Sequence, residues 1–196
     1  LALDDNVVLQ EEEIKGILLI AYDENAFDGT EPSLAITVDP INGTISESVV
    51  KDLENNKLAA WSVDFTPAEN YNGSDELRFT VTNDNGTTNE GIISIIVNPV
   101  NDAPVLSAVS DISFDEGDAT ASLTLFATDV DEDPLIYSIS TGTNITVTQE
   151  DSDTEFTFST TDEDWYGSEV FTAMVSDDEF ESLRVFTVTV NSTNDA

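Results

Sequence analysis

The stretch that decides the fold is residues 98–104, Asn-Pro-Val-Asn-Asp-Ala-Pro, because a close copy, Asn-Ser-Thr-Asn-Asp-Ala, stands at residues 191–196. Each copy follows an apolar, strand-like run, residues 92–97 in the first case and 185–190 in the second. Asn101 and Asn194 are 93 positions apart, and a period that long corresponds to a whole domain rather than to one unit of a solenoid. The sequence therefore predicts two copies of one β-domain joined end to end, residues 1–100 and 101–196.

The charge of the chain restricts its partners. Its 196 residues include 41 Asp and Glu against 5 Lys and Arg, a formal net charge of -36. Binding to nucleic acid or to an anionic membrane relies on clustered Lys and Arg, so neither partner is expected, whereas divalent cations are natural ones. No apolar run is long enough to span a membrane and no signal peptide precedes Leu1, so we expect an internal piece of a longer chain.

Two missing residue types narrow the function further. Cysteine is absent, which excludes disulfides and Cys-based metal sites and fits a bacterial surface protein better than a small eukaryotic secreted domain. Histidine is absent as well, so the commonest general base and the thiol nucleophile are both missing, and we expect no enzyme activity. Hydrophobic residues make up 39% of the chain and alternate regularly with polar ones, which indicates a folded chain rather than a disordered one.

The alternation predicts an all-β fold. Strand-like segments are separated by clusters of Gly, Pro, Asn and Asp, the pattern of a sandwich or a barrel. Leu77, Phe79 and Val81 alternate with polar residues, which predicts one buried and one solvated face, and the second copy repeats the pattern around Phe171. An aromatic residue ahead of a glycine turn recurs at residues 71–73 and 165–167, and we expect these aromatic side chains, Tyr166 included, to pack into the turn.

The two copies differ in their middle regions. Asp23 and Gly73 are 50 positions apart, whereas the equivalent Asp129 and Gly167 are 38 apart. We expect the 12 additional residues within 46–61, as a loop insertion or a longer hairpin, although 47–53 has weak helical periodicity; a partner-binding loop is the alternative.

Placement makes some of the acidic residues informative. Chance alone produces the pattern acid-x-acid roughly nine times in a chain of this composition, so a single match means little. Acidic or polar clusters nevertheless recur at three equivalent points of both copies: near the first strand (11–13 and 115–117), after an apolar strand (23–25 and 129–133) and after the penultimate strand (83–86 and 177–179). Ca²⁺ takes six to eight oxygen ligands, and no single turn supplies that many. We therefore expect several of these acidic clusters to contribute ligands to one site.

The linker phrase, the early Asp-Glu-Gly at 115–117 and the Ala-Thr-Asp-x-Asp at 127–131 resemble the bacterial cadherin-like tandem repeats of large surface adhesins. The resemblance covers nearly the whole chain and implies Greek-key β-sandwiches of the cadherin-like or Ig-like kind, with one to three Ca²⁺ between successive repeats. Carried over by position, the ligands are Glu11 or Glu12 from repeat 1, Asn98, Asn101 and Asp102 from the linker, and Asp129, Asp131 and Asp177 or Asp178 from repeat 2, with Asp75 as a further candidate. Repeat 1 departs from this pattern in having Asn25 where repeat 2 has Asp131.

These observations lead to two hypotheses about function. The first is a Ca²⁺-rigidified spacer of an extracellular bacterial adhesin, monomeric and in contact with adjacent repeats of its own polypeptide. The second is a module that binds carbohydrate or a homotypic partner. Sugar recognition usually needs an exposed aromatic side chain, for which Trp61, Trp165 and Tyr166 are the candidates; of these, the last two are expected in a turn core.

Overall fold

The computed structural model describes residues 1–23, 32–46, 49–54, 57–83, 86–117 and 119–194. The described residues form strands and turns without a helix, and the chain divides into two compact units, Leu1–Val100 and Asn101–Ala196. Each unit folds around its own hydrophobic core. The all-β fold expected from the alternation is confirmed.

Unit 1 contains two sheets. The first has the strand order β1-β9-β7-β3, with β8 paired to β7, and the second has the order β2-β6-β4, with β5 also paired to β6. The strands are β1 (Asp5–Gln10), β2 (Lys15–Tyr22), β3 (Ser33–Val38), β4 (Gly43–Ile45), β5 (Val49–Glu54), β6 (Leu58–Pro67), β7 (Gly73–Asn83), β8 (Gly86–Thr87) and β9 (Gly91–Asn98).

Unit 2 repeats this arrangement, with shorter strands in its second sheet. Its sheets have the orders β11-β18-β17-β14 and β12-β16-β15, and β10 pairs with β13. The strands are β10 (Val105–Leu106), β11 (Ile112–Asp115), β12 (Ala121–Thr124), β13 (Ala127–Thr128), β14 (Ile136–Ile139), β15 (Ile145–Gln149), β16 (Glu155–Thr160), β17 (Gly167–Ser176) and β18 (Glu181–Asn191).

Both units pair an early strand in parallel with their last strand. β1 runs beside β9, with Gln10 opposite Asn98, and β11 runs beside β18, with Asp115 opposite Asn191. The remaining strand pairs are antiparallel. Because the parallel strands end at the same edge of the sheet, the residue after β1 lies where the chain leaves unit 1, and the residue after β11 lies where the chain leaves β18.

The predicted alternation describes the cores correctly. Leu77, Phe79 and Val81 of β7 are at most 1% exposed, and they pack with apolar side chains of β2, β6 and β9. In unit 2 the ring of Phe158 from the second sheet meets Phe171 and Phe186 of the first edge-on, at centroid distances of 5.5 and 6.0 Å. Edge-to-face contacts of this kind are favourable for aromatic rings. The core of each unit therefore lies between its two sheets.

The aromatic-glycine turns are built as expected, with one exception. Gly73 and Gly167 have φ of 137° and 151°, and a Cβ at either position would lie 2.9 Å from the ring system of Tyr71 or Trp165. Both aromatic side chains pack against the core of their unit. Tyr166, however, is 64% exposed, so its expected place in the turn core is wrong.

The additional residues of repeat 1 extend a hairpin. Where unit 2 pairs β15 with β16, unit 1 pairs both β4 and β5 with β6, and β5 occupies the segment that has weak helical periodicity. Asn42 and Asn144 occupy equivalent positions, since each donates its backbone N–H to an equivalent carboxylate, Asp75 of β7 or Glu169 of β17. Phe65 of β6 and Phe158 of β16 are also equivalent and are both fully buried. Asn42 precedes Phe65 by 23 positions and Asn144 precedes Phe158 by 14, so nine additional residues lie in this region and the rest elsewhere.

A left-handed residue follows the first parallel strand in both units. It is Glu12, with φ of 62°, in unit 1 and Gly117, with φ of 95°, in unit 2. A residue with a Cβ is strained in this conformation and glycine is not. The same turn is therefore strained in unit 1, at Glu12, and unstrained in unit 2, at Gly117.

We expect Glu12→Gly to raise the free energy of unfolding of unit 1 by about 0.5–1 kcal/mol, because it relieves this strain. Amide hydrogen exchange of β6 and β16 in the presence of EDTA measures each unit separately. The matched control is Gly117→Ala: a Cβ there meets nothing within 4 Å, so the expected loss of stability in unit 2 comes from the backbone alone. A destabilised Glu12→Gly variant would contradict the strain argument.

Candidate metal centre

Three carboxylates cluster directly after β13. Oxygens of Asp129, Asp131 and Asp133 lie within 4.8 Å of one another, and all three side chains are half-buried. The backbone holds them there, since Asp129 Oδ1 accepts the N–H of Asp131 at 3.0 Å and of Asp133 at 3.3 Å. Two unit charges at such a distance repel by about 1 kcal/mol in bulk water and several-fold more where water is partly excluded. The turn thus holds three mutually repelling charges close together.

The start of unit 2 is tied to the same region by its own hydrogen bonds. Asn101 Nδ2 donates to Asp177 Oδ2 at 3.0 Å, and the backbone N–H of Asp102 donates to Asp131 Oδ2 at 2.7 Å. The residues that follow Val100 therefore lie against the acidic turn and against the loop between β17 and β18. This gathers the predicted residues Asn101, Asp102, Asp129, Asp131 and Asp177 at one end of unit 2.

Asp177 is the most enclosed of these carboxylates, at 8% exposure. Its Oδ1 accepts the N–H of Phe180 at 2.6 Å and of Glu179 at 2.8 Å. These bonds, led by the one from Phe180 and joined by the Asn101 amide, lower the pKa of Asp177 below its ordinary value against the opposing effect of desolvation. Asp177 is therefore held in its charged form, the form that binds a cation.

Two carboxylate oxygens at this end of unit 2 are buried without a hydrogen bond. They are Asp102 Oδ2 and Asp129 Oδ2, each shielded from solvent and without a donor among the described residues. A buried polar atom left unpaired costs about 1–3 kcal/mol, and more when it is charged. A cation held by Asp129, Asp131 and Asp133 would satisfy Asp129 Oδ2 and relieve the repulsion among the three carboxylates, so this donor set fits a bound metal ion. Oxygen donors without any His or Cys fit Ca²⁺ or Mg²⁺ and not Zn²⁺.

A buried glutamate marks the exit of unit 1. Glu11 is 3% exposed; its Oε1 accepts the N–H of Val100 at 2.6 Å and its own N–H donates to the Asn98 carbonyl at 3.0 Å. Unit 2 repeats the arrangement, since Glu116 Oε1 accepts the N–H of Thr193 at 2.6 Å. The parallel strand pairing explains both contacts, because each glutamate directly follows the strand that runs beside the last one.

The other predicted ligands lie elsewhere. Glu12 is exposed, in its left-handed turn, and Asp178 is exposed with φ of 85°. Asn98 ends β9 with an exposed side chain, and only its carbonyl meets Glu11. Asp75 accepts the N–H groups of residues 41 and 42 at 3.0 and 2.7 Å and so holds the loop before β4.

Glu169 of unit 2 has the same role as Asp75 in unit 1. It accepts N–H groups from Thr143, Asn144 and Ile145. Burial raises the pKa of Glu169, but the hydrogen bonds from Asn144, Thr143 and Ile145 outweigh it and hold the pKa below its ordinary value. Asp75 and Glu169 are thus equivalent carboxylates that hold a loop in place.

Sequence reasoning omitted two residues that the structure brings into the argument. Asp133 belongs to the group of three carboxylates that could hold a metal ion, and the Asp-x-Asp-x-Asp spacing that starts at Asp129 could have predicted this. Glu116 repeats Glu11, and the signal was its place after the strand that pairs with the last one. The equivalent end of unit 1 differs: Asn83 donates to Asp23 Oδ2 at 2.6 Å, and the predicted counterpart Asn25 lies outside the described residues.

The expected aromatic platform for sugar is not supported. Trp61 is 2% exposed and packs in the core of unit 1, so it is no sugar-binding surface residue. Trp165 packs against the core of unit 2. Among the residues named for this role, only Tyr166 is exposed.

Comparison with known families identifies the repeat. The sequence model of the bacterial Ig domain matches the chain twice, at residues 1–96 and 101–192. The chain belongs to the bacterial Ig domain family. Domains of this family are commonly parts of surface proteins and are typically not enzymes. A search of curated proteins finds no match.

Solved structures with a similar fold include cadherin repeats. Extracellular domains 1–5 of protocadherin gamma B2 match at a TM-score of 0.55 and 17% identity, over 98% of this chain and 39% of that one. Domains 3–6 of protocadherin gamma B7, solved as a cis-dimer, match at 0.57 and 12%, over 98% and 47%. An endo-fucoidan hydrolase of glycoside hydrolase family 107 matches at 0.38 and 18%, over 97% of this chain and 28% of that one. The chain thus spans less than half of each of these proteins, and the likeness to the protocadherins shows the fold alone: tandem, cadherin-like β-sandwiches. In the described part of the chain, no helix has the length and apolar character needed to cross a membrane.

Acidification should destabilise unit 2 in part through Asp177. Because the pKa of Asp177 is lower in the folded state than its ordinary value of about 3.9, its stabilising contribution is present above pH 4 and is lost as pH falls through the folded pKa. We expect Asp177→Asn to make the decline in unfolding free energy below pH 4 shallower, measured by urea denaturation in EDTA. Asp178→Asn, which removes the same charge from an exposed neighbour, should leave the slope unchanged. An equal effect of both variants would contradict the assignment.

Proposed function

We propose that this segment is a Ca²⁺-binding extender of a bacterial extracellular adhesin. The observation that carries the proposal is the cluster of Asp129, Asp131 and Asp133, in which Asp129 Oδ2 is buried without a donor among the described residues; Asp102 Oδ2, from the linker residue bonded to Asp131, is buried and unpaired as well. An ion at this point supplies the positive charge that the chain lacks. The family and the fold support the extracellular, repeated setting.

The proposed ligands come from the linker end and two loops of unit 2. Carboxylates dominate the set, and the amide carbonyl of Asn101 is available because its Nδ2 is the atom bonded to Asp177. The set is Asn101, Asp102, Asp129, Asp131, Asp133 and Asp177. These residues offer six or more oxygens, the number that Ca²⁺ requires, in irregular loop geometry that suits Ca²⁺ better than octahedral Mg²⁺. Asp75 is left out, because it belongs to unit 1, where it holds the loop before β4.

The ion would act on the linker. Val100 is already held by Glu11 of unit 1, and the next two residues, Asn101 and Asp102, belong to the proposed ligand set. Holding those two residues more firmly in unit 2 would restrict the backbone directly after Val100, the last residue of unit 1. We propose that Ca²⁺ therefore stiffens the connection, which is what a repeat that projects a distal adhesive domain needs.

The charge of the chain makes this stiffening conditional on the ion. Without a cation, the clustered carboxylates repel one another and weaken the hold of unit 2 on its linker. Extracellular Ca²⁺ modules have dissociation constants of about 10⁻⁴–10⁻³ M, which matches the concentrations outside cells. The segment would thus be stiff outside the cell and loose in a chelating medium.

Ca²⁺ should bind and stabilise unit 2. At a free concentration a hundredfold above Kd, we expect the free energy of unfolding to rise by about 2.7 kcal/mol, measured by urea denaturation, with heat of binding in calorimetry. Asp129→Asn should weaken binding at least tenfold, because it removes the carboxylate that organises the turn. Asp151→Asn, the same change at an exposed residue between β15 and β16, should bind as wild type does. Wild-type protein without measurable binding at 5 mM Ca²⁺ would refute the site.

Small-angle scattering tests the effect on the linker separately. We expect the distance distribution of wild type and of Asp151→Asn to narrow when Ca²⁺ is added to EDTA-treated protein, because the two units lose freedom. Asp129→Asn should show no such change at the same Ca²⁺ concentration. Binding with an unchanged distribution would keep the metal site and refute the extender mechanism.

A further inference from the structure

The parallel strand pairs determine how each unit responds to tension along the chain. In unit 1 the chain enters at the start of β1 and leaves at the end of β9, and the two strands run in the same direction. Tension therefore pulls β1 and β9 in opposite directions along their own axes. The hydrogen bonds between parallel strands lie across that direction, so they share the load and break together. The pair is thus loaded in shear, and β11 and β18 of unit 2 are loaded in the same way.

An antiparallel pair in the same place would be weaker. The chain would then enter and leave at one edge of the sheet, and tension would separate the two strands one bond at a time. The force that opens a domain is set by the barrier to unfolding rather than by its equilibrium stability. Bonds that must break together raise this barrier more than bonds that break in succession. Parallel pairing therefore makes each unit resistant to tension.

Side-chain carboxylates lengthen each strand pair at its start. Asp4 Oδ1 accepts the N–H of Ile92 at 2.8 Å in unit 1, and Asp111 Oδ1 accepts the N–H of Thr187 at 2.7 Å in unit 2. Each aspartate stands directly before the strand that runs beside the last one. These bonds therefore join the same two segments that tension pulls apart, at the point where the load enters the unit.

A glutamate joins the same two segments at the far end. Glu11 binds the N–H of Val100, and Glu116 binds that of Thr193. We call each set of bonds, from the aspartate to the glutamate, a clamp. The clamp of unit 1 joins residues 4–11 to residues 92–100, and the clamp of unit 2 joins residues 111–116 to residues 187–193.

The two clamps differ in length. β1 and β9 have six residues in register, whereas β11 and β18 have four. β18 itself is 11 residues long, so the short β11 limits the clamp of unit 2. A shorter pair distributes the same tension over fewer hydrogen bonds. We therefore expect the clamp of unit 2 to open at a lower force.

The contacts ahead of the clamps are fewer still. In unit 1, Leu3 donates its N–H to the Ile20 carbonyl at 2.9 Å, and Tyr22 donates its own to the Leu1 carbonyl at 2.7 Å. In unit 2, β10 pairs with β13 over two residues. Tension breaks these contacts before it loads the clamps fully, so the clamps set the force at which each unit opens.

We propose that the clamps give this chain a mechanical function: they carry tension along the polypeptide, and unit 2 opens at a lower force than unit 1. Under rising tension unit 2 then unfolds first and lengthens the chain by roughly 300 Å, since its 96 residues extend by at most about 3.3–3.6 Å each. This use of the clamps rests on the proposed extender function, in which a distal domain pulls on the chain. The clamps contain none of the proposed metal ligands, so their strength is measurable without Ca²⁺.

Single-molecule force spectroscopy in EDTA tests the clamps separately from the metal site. Pulled through its two ends, wild type should show two opening events at different forces. Glu12→Cys supplies a second attachment point, because the chain has no cysteine and Glu12 is exposed directly after Glu11. Pulling between this thiol and the C-terminal end separates positions 12 and 100, which lie at one edge of unit 1. The clamp of unit 1 is then peeled open from that edge, while unit 2 is loaded as before.

The change of attachment point should affect only the stronger event. We expect the higher of the two forces to fall to about half or less, because the bonds of unit 1 then break one at a time. The lower force should stay unchanged, which assigns it to unit 2. Glu12→Cys pulled through its two ends is the matched control and should behave as wild type does. Two unchanged forces, or a change in the lower one, would overturn the proposal.

A pair of alanine variants tests the carboxylate at the start of the clamp. Asp4→Ala should lower the force of the unit 1 event, because it removes the bond to Ile92. Asp5→Ala removes the same charge from an exposed neighbour whose carboxylate accepts the N–H of the adjacent Asn6, within β1 itself. It should open at the wild-type force. Equal forces in the two variants would overturn the role of Asp4 in the clamp.

Discussion

Parallel pairing of an early strand with the last strand is the constraint on which the rest of this structure depends. It places the residue after β1 beside the point where the chain leaves unit 1, and a glutamate stands there in both repeats. Buried beside its own linker, Glu11 binds the N–H of Val100, and Glu116 does the same to Thr193. The strand order thus places a glutamate where it binds the backbone that follows the last strand. In unit 1 this holds Val100, the residue directly before unit 2.

Carboxylates both hold the start of unit 2 and repel one another. The start of unit 2 is held by two hydrogen bonds to carboxylates, Asn101 to Asp177 and Asp102 to Asp131. Asp131 also lies in the three-carboxylate cluster, where it repels Asp129 and Asp133. Asp102 Oδ2 and Asp129 Oδ2 are buried without a donor among the described residues. A divalent cation bound at the proposed site would relieve this repulsion without breaking the hydrogen bonds from Asn101 and Asp102. The five basic residues of the chain are too few to take its place.

Much of this was predictable from the sequence, and the misses have physical causes. The repeated phrase and the alternation around Phe79 and Phe171 predict two all-β domains correctly, because period-two burial is local. Trp61 was misjudged as a surface candidate, although Val63 and Phe65 continue its alternation into the core. Glu12 and Asp75 could not be separated from Glu11 by sequence alone, because strand register decides which carboxylate meets the linker and which holds a loop. Asp133 was passed over because composition makes acid-x-acid patterns common by chance.

Comparison of the two repeats with each other shows differences at individual positions, whereas comparison with the protocadherin structures shows the fold alone. At equal positions of one sandwich, the core is conserved in character, so differences on the surface reflect what each repeat faces. Asp23 and Asn83 meet as a carboxylate and an amide in unit 1, where unit 2 has two acids, Asp129 and Asp177. Glu76, Arg78 and Glu90 form an ion network, where unit 2 has Val170, Thr172 and Leu183. The two repeats therefore share a fold and an apolar core but differ in the chemistry of these surface positions.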